Sequence, residues 1–147
     1  MPHVAKNYLS NPSAPMGSWV CTRTSALGPF KSPIQPPSAS RGDPNYCGQC
    51  VSFATTVCTS LPVSTLLWKK GKAAKGNADI KPGTVIATFT STGKYLGHTA
   101  IYHDQTKFAL NVYDQWVTGH TKAIGKRALR FGAAGISNNG DGFYVVE

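Results

Sequence analysis

No stretch of the 147-residue sequence approaches the roughly 20 consecutive apolar residues of a membrane-spanning helix, so no membrane insertion is expected. Residues 1–17 hold no apolar h-region. A standard secretory signal peptide is therefore not expected, and work outside the cytoplasm would need another export route. Cysteine is sparse: Cys21, Cys47, Cys50 and Cys58 include a single C-x-x-C pair with no second pair after it. That excludes the usual four-ligand zinc pattern, and neither a metal nor a cofactor is expected. Acidic residues are few, 6 Asp+Glu against 15 Lys+Arg, for a formal charge of +9. Such an excess favours an anionic partner (nucleic acid, a membrane surface or an acidic polymer) or serves solubility alone.

What is present is enough apolar material, 41% of residues, for a core, in a length that favours one domain over 1–147, expected as a monomer. Residues 1–46 hold eight of the ten prolines, and the stretch 33–40 reads as loop. Trp19, Val20, Leu27 and Phe30 predict that this segment packs on the rest and is not a free tail. From Cys50, apolar residues at 50, 53, 54, 57, 58 and 61 form a helical stripe that Pro62 stops. A second short helix is expected around Ser64 to Trp68. Lys69 to Lys75 reads as a basic, glycine-broken linker. Then come β-rich runs at 84–89, 98–103, 108–114, 126–131 and 143–146. A helix followed by an antiparallel sheet is an α+β pattern.

The chemistry concentrates in Cys50 and His98. Cys50 falls in the first turn of its helix, where unpaired N–H groups and the dipole favour a thiolate. Those N–H groups could also form part of an oxyanion hole. The strands carrying His98 and Asp114 read as a hairpin, with even-numbered residues on the apolar, core-facing side. A three-residue loop would set His98 directly opposite Asp114 on that face. The apolar pattern and a Cys50–His98–Asp114 constellation thus require the same register. His3, His103 and His120 read as exposed or incidental. Cys47 and Cys58 are too far apart along the helix to bridge, since a disulfide needs Cα atoms within ~7 Å. If Cys50 stays free, Cys21 pairs with either Cys47 or Cys58. Two other functions compete: a thiol–disulfide oxidoreductase using Cys47 and Cys50, and a basic nucleic-acid-binding module. The latter would use Lys69, Lys70, Lys72 and Lys75 with Lys122, Lys126, Arg127 and Arg130. No nucleic-acid motif accompanies these runs, so no nucleic acid is expected as partner.

Gly48-Gln49-Cys50-Val51, Lys81-Pro82-Gly83 and Gly97-His98-Thr99-Ala100-Ile101-Tyr102 resemble the ordered landmarks of NlpC-like and CHAP-like cysteine peptidases, papain-fold amidases that hydrolyse peptidoglycan. Asp114-Gln115-Trp116 and the run 126–131 narrow the resemblance to the amidase effectors of type VI secretion systems, over roughly residues 44–131. The resemblance implies Cys50 as nucleophile, His98 as general base and Asp114 as its orienting residue. Tyr46 and Gln49 are candidates for the oxyanion site. It also implies cleavage of stem peptides or crosslinks, with the D-alanine–diaminopimelate bond favoured. The implied partners are peptidoglycan, a secretion apparatus and a cognate immunity protein, and the implied place of action is a target bacterium's periplasm. Thr84 departs from the family, which often has Asp after Lys-Pro-Gly.

Overall fold

The computed structural model describes residues 1–31, 44–117 and 121–147; the proline-rich stretch 33–40 and His120 lie outside the described residues. The single α-helix among them, α1 (Cys50–Val57), is eight residues long. Its stripe places Phe53, Ala54 and Val57 in the core, and Cys58 and Leu61 stay buried beyond its end. The helix stops well before Pro62. Thr55 and Thr56 turn their hydroxyls back onto the carbonyls of Val51 and Ser52, at 2.9 and 2.7 Å, a habit that weakens a helix interior. Arg23 then donates to the carbonyls of Thr55 and Cys58 at the helix end. The second helix reduces to one 3-10 turn, Thr65–Leu67, capped by the Ser64 hydroxyl.

Strands β1 (Ser18–Trp19) and β2 (Phe30–Lys31) form a two-stranded ribbon. The main sheet has six strands: β3 (Lys70–Ala73), β4 (Val85–Phe89), β5 (Tyr95–Gln105), β6 (Ala109–Trp116), β7 (Lys122–Arg130) and β8 (Phe143–Val146). Their order is β3-β8-β4-β5-β6-β7, antiparallel throughout. The expected α+β architecture, with the cysteine-bearing helix on an antiparallel sheet, is what the chain adopts. The Lys69–Lys75 segment is not a linker, however, because β3 pairs with β8. Its lysines resemble a linker in composition, but on an edge strand they stay in solvent and discourage pairing with another chain.

Burial also differs from expectation. Both faces of the sheet are covered, not the even-numbered one alone. Val85, Ala87, Ile101 and Ile124 join the α1 residues in one cluster; Ile86, Ala100, Tyr102, Leu110, Val112, Leu129 and Phe143 form a second. Within the described part of the N-terminal segment, Tyr8, Ala14, Trp19 and Val20 are buried, and Val4 bridges Thr84. Leu27 does not take part and is 44% exposed.

The β5–β6 hairpin departs from the expected register in an instructive way. Its turn closes with the Thr106 N–H on the Ala109 carbonyl, and Gln105 pairs with Leu110. Carried through unbroken, that register would put His98 and Asp114 on opposite faces. A bulge between Tyr102 and Asp104 leaves His103 as the extra residue, and beyond it Tyr102 pairs with Val112 and Ile101 with Tyr113. The phase is thereby restored. Continuing it sets His98 level with Trp116, and Asp114 becomes its diagonal neighbour on the same face rather than its direct opposite.

Candidate active site

The nucleophile segment is held from behind. Cys47 is disulfide-bonded to Cys21, which settles the alternatives left open by the sequence, while Cys50 and Cys58 are free. The chain reverses through Tyr46 at φ 49° and Gly48 at φ 78°, and enters α1 from an extended Gln49. Left-handed backbone is natural for Gly48 and uncommon for Tyr46, which is held there by Ser52 donating to its carbonyl at 2.6 Å. Gln115, fully buried, clamps the entry: its amide nitrogen donates to the carbonyls of Gln49 (2.8 Å) and Val20 (3.0 Å), and its oxygen accepts from the Val20 N–H (3.0 Å). Cys50 is thus fixed at the helix N-terminus, half-buried.

His98 arrives from β5. Gly97 before it has φ 107°, where a Cβ would lie 2.8 Å from Thr88 Oγ1 and 2.9 Å from Ile136 Cδ1, so only glycine fits. Thr88 Oγ1 in turn accepts from the His98 N–H at 3.0 Å. The ring is buried, edge-on to Trp116 and Phe143, and its Nε2 lies 2.8 Å from Asp114 Oδ2. With Nε2 so engaged, Nδ1 remains for the Cys50 thiol, which lines the same cleft. The Tyr95 hydroxyl is 3.4 Å from the same sulfur.

Asp114 is completely buried, yet surrounded by cations. Arg127 places Nη2 at 2.7 Å and Nε at 3.0 Å from Oδ2, and Lys122 Nζ lies 3.3 Å from Oδ1. The β6–β7 register explains the convergence: Val112 pairs with Arg127, Asp114 with Gly125 and Trp116 with Lys122, all on one side of the ribbon. Gln49, Cys50, Gly97, His98, Trp116, Ser137 and Asn138 line a cleft of about 380 Å³ above these groups.

Electrostatics bias the set toward an ion pair. Burial alone would push the Cys50 thiol up. The hydrogen bond and charge of His98, the Tyr95 hydroxyl and the Thr99 N–H outweigh it and leave the thiol below its ordinary value. Burial would likewise lower His98, but Asp114 and Cys50 raise it to about 9. Burial would raise Asp114; His98 and Arg127 hold it below the ordinary carboxylate range. Burial opposes the charged form of Lys122, which sits below its usual value. A thiolate beside an imidazolium is a nucleophile with its proton donor already in place.

The structure therefore brings Cys50, His98 and Asp114 together, with Gln49 on the cleft wall. Tyr46 is elsewhere, 56% exposed and not among the residues that line the cleft. His103 bonds the Tyr8 hydroxyl at 2.8 Å, and His3 bonds Ser60. Cys47, bonded to Cys21, cannot form the dithiol of a redox motif with Cys50. Lys122 and Arg127, read from the sequence as part of a basic surface run, turn inward to Asp114. Sequence reasoning also missed Gln115 and Tyr95. The position of Gln115 next to Asp114 was a usable signal; nothing in the sequence distinguishes Tyr95. Among the described residues no group of three or more His, Cys, Asp or Glu could hold a metal ion, and no helix is long and apolar enough to cross a membrane.

A family model described as Domesticated amidase effector 2 matches residues 4–146. A protein of Ixodes scapularis with that name is 39% identical, over 67% of this chain and 70% of its own length. A Type VI secretion amidase effector 2 protein of Salmonella typhi is 33% identical, over 67% of this chain and 84% of its own. The solved structure of Type 6 secretion amidase effector 2 (Tae2) superposes with a TM-score of 0.59 at 30% identity, over 67% of this chain and 80% of that one. With a helix-borne cysteine facing a strand-borne histidine across a papain-like scaffold, the chain is a cysteine-dependent amidase and belongs to the Domesticated amidase effector 2 family.

Proposed function

We propose that this protein hydrolyses amide bonds of peptidoglycan stem peptides, with Cys50 as nucleophile, His98 as general base and acid, and Asp114 as the group that orients His98. One observation carries the reading: a cysteine at a helix start shares a cleft with a histidine whose ring nitrogen meets a buried carboxylate at 2.8 Å. The Cys50 thiolate adds to the scissile carbonyl carbon, and the first-turn N–H groups of α1 with Gln49 stabilise the oxyanion. As that intermediate collapses, the His98 imidazolium gives its proton to the departing amine and a thioester remains on Cys50. His98, now neutral, takes a proton from water, which attacks the thioester and frees the carboxylate product. Asp114 holds the ring with Nδ1 toward sulfur and stabilises its charged form.

The favoured bond is the D-alanine–diaminopimelate crosslink, with D-glutamate–diaminopimelate as the other candidate. The relatives named for type VI secretion support delivery by that apparatus to a target's periplasm, and a cognate immunity protein that blocks the cleft. The net charge of +9 suits stem peptides bearing free carboxylates. The test is digestion of purified sacculi with fragments identified by mass. Uncrosslinked muropeptides with intact stems are expected from the wild type, and nothing from Cys50→Ala, whose circular dichroism should match the wild type. Cleavage by Cys50→Ala would overturn the mechanism, stems cut after D-glutamate would overturn the bond assignment, and sacculi left intact by folded wild type would overturn the substrate.

A further inference from the structure

Arg127 does more than neutralise a carboxylate. Its Nη2 donates to the Ser137 carbonyl at 2.7 Å as well as to Asp114, and its Nη1 donates to Asn138 Oδ1 at 2.7 Å. Its guanidinium lies 4.5 Å from the centre of the Trp116 ring. Trp116 forms one wall of the cleft; Ser137 and Asn138 form another. One side chain, only 15% exposed, thus touches the carboxylate beneath the cleft and both of its walls. It also competes with His98, because among the described residues the hydrogen bonds to the Asp114 carboxylate fall on Oδ2. Among the described residues Oδ1 accepts none and has the Lys122 ammonium at 3.3 Å.

We propose that Arg127 is a positioning residue with two separable effects: its charge on Oδ2 moderates the hold of Asp114 on His98, and its planar fork ties that carboxylate to the walls that receive the substrate. The inference rests on the reading of Cys50, His98 and Asp114 as the reacting set. The distinction between the effects follows from guanidinium chemistry. A lysine would keep the charge, but its ammonium cannot span Asp114, Ser137 and Asn138 together. A glutamine would lose the charge. Among the described residues the other titratable or charged groups facing His98 and Asp114 are Cys50 from α1, Tyr95 from β5 through the Cys50 sulfur, and Lys122 from β7; the substitutions at Arg127 alter none of them.

The charge effect is read without substrate, by NMR titration of the His98 ring in Cys50→Ala and in the same protein carrying Arg127→Gln or Arg127→Lys. Removing the competing cation from Oδ2 should raise the His98 midpoint by about one pH unit in Arg127→Gln and leave it nearly unchanged in Arg127→Lys. A folded Arg127→Gln protein with an unmoved midpoint would overturn this half. The fork effect is read as kinetics of Arg127→Lys, with Cys50 present, on purified crosslinked muropeptides. KM should rise roughly tenfold, the loss of a charge-assisted contact, while the alkaline limb of the pH–rate profile stays in place. An unchanged KM would overturn that half, as would a loss confined to kcat. Should Arg127→Gln fail to fold, Lys122→Met in the Cys50→Ala protein replaces it. Because Lys122 stands on Oδ1, it should shift His98 less than Arg127 does through Oδ2; a shift of a full unit would contradict the assignment of the effect to Oδ2. An inert wild-type enzyme would remove the proposed substrate but leave the titration interpretable.

Discussion

Replacing Asp114 with Asn tests whether the buried carboxylate acts through its charge. Asn keeps the size and an oxygen that can accept from His98 Nε2. It leaves Arg127 and Lys122, 15% and 22% exposed, facing a neutral amide. Removing one member of a buried ion pair costs about 3–5 kcal/mol. Here the remaining cations keep partners: Lys122 donates to the carbonyls of Asp114, Ala123 and Gly125, and Arg127 to Ser137 and Asn138. The lower end of the range therefore applies, about 3 kcal/mol. At roughly 2–4 °C per kcal/mol for a chain of this size, Tm should fall by about 6–12 °C. Asp114 is held below its ordinary value, so its contribution is complete above about pH 4 and is lost as pH falls through the depressed native value. The gap in Tm should accordingly be constant from pH 5 to 7 and close below pH 4.

The same substitution moves catalysis. The rise of His98 from 6.5 to about 9 corresponds to roughly 3 kcal/mol favouring the charged ring, shared between Asp114 and Cys50. Without the carboxylate share, the alkaline limb of the pH–rate profile should drop by about one pH unit or more from near 9. Turnover should fall, but less than in Cys50→Ala, because an amide still orients the ring. Calorimetry and a pH–rate profile on soluble muropeptides are sufficient. A Tm within 1 °C of wild type with an unmoved alkaline limb would refute the reasoning.

Three further substitutions follow from the site. Cys47→Ala opens a disulfide with a sequence separation of 26, worth about 3.5 kcal/mol by chain entropy; Tm should fall by about 7–14 °C while the folded fraction keeps activity, and loss of activity in a folded variant would show a role beyond anchoring. Gly97→Ala forces a side chain onto φ 107° against Thr88 and Ile136, at about 1–3 kcal/mol of backbone strain; Tm and kcat should drop together, and a wild-type Tm by differential scanning calorimetry would contradict the close approach. Tyr95→Phe removes a hydrogen bond that helps hold the Cys50 thiol low, so the acid limb of the pH–rate profile should move up; an unmoved acid limb would remove Tyr95 from the site.

Cys50 and His98 were legible in the sequence because each is announced locally, one by the start of an apolar helical stripe and the other by a glycine at the head of a β-rich run. Asp114 was legible by parity alone. Residues 98 and 114 share a face whether the offset between them is zero or two, so the inference survived a wrong register. Arg127 was not legible. Its neighbour Lys126 is exposed, and only the pairing of Val112 with Arg127 decides which of the two turns inward. The choice between Cys21–Cys47 and Cys21–Cys58 depends on how the N-terminal segment lies over α1, information that spacing does not carry. The strand at Lys70–Ala73 escaped because an edge strand needs solvating charge and therefore resembles a linker.

The bulge at His103 has a consequence for how the gene can change length. Across β5 and β6, His103 is the residue without a place in the ladder: Tyr102 and Asp104 already pair with the adjacent residues Val112 and Asn111. Deleting it would yield an unbroken ladder and leave every pairing around the catalytic residues intact, at the loss of its contacts with Tyr8 and Tyr113. Deleting any one residue from Thr99 to Tyr102 would swing His98 to the face opposite Asp114. Natural length variation in this hairpin should therefore collect at 103 and in the turn, and be absent from the stretch between the histidine and the bulge.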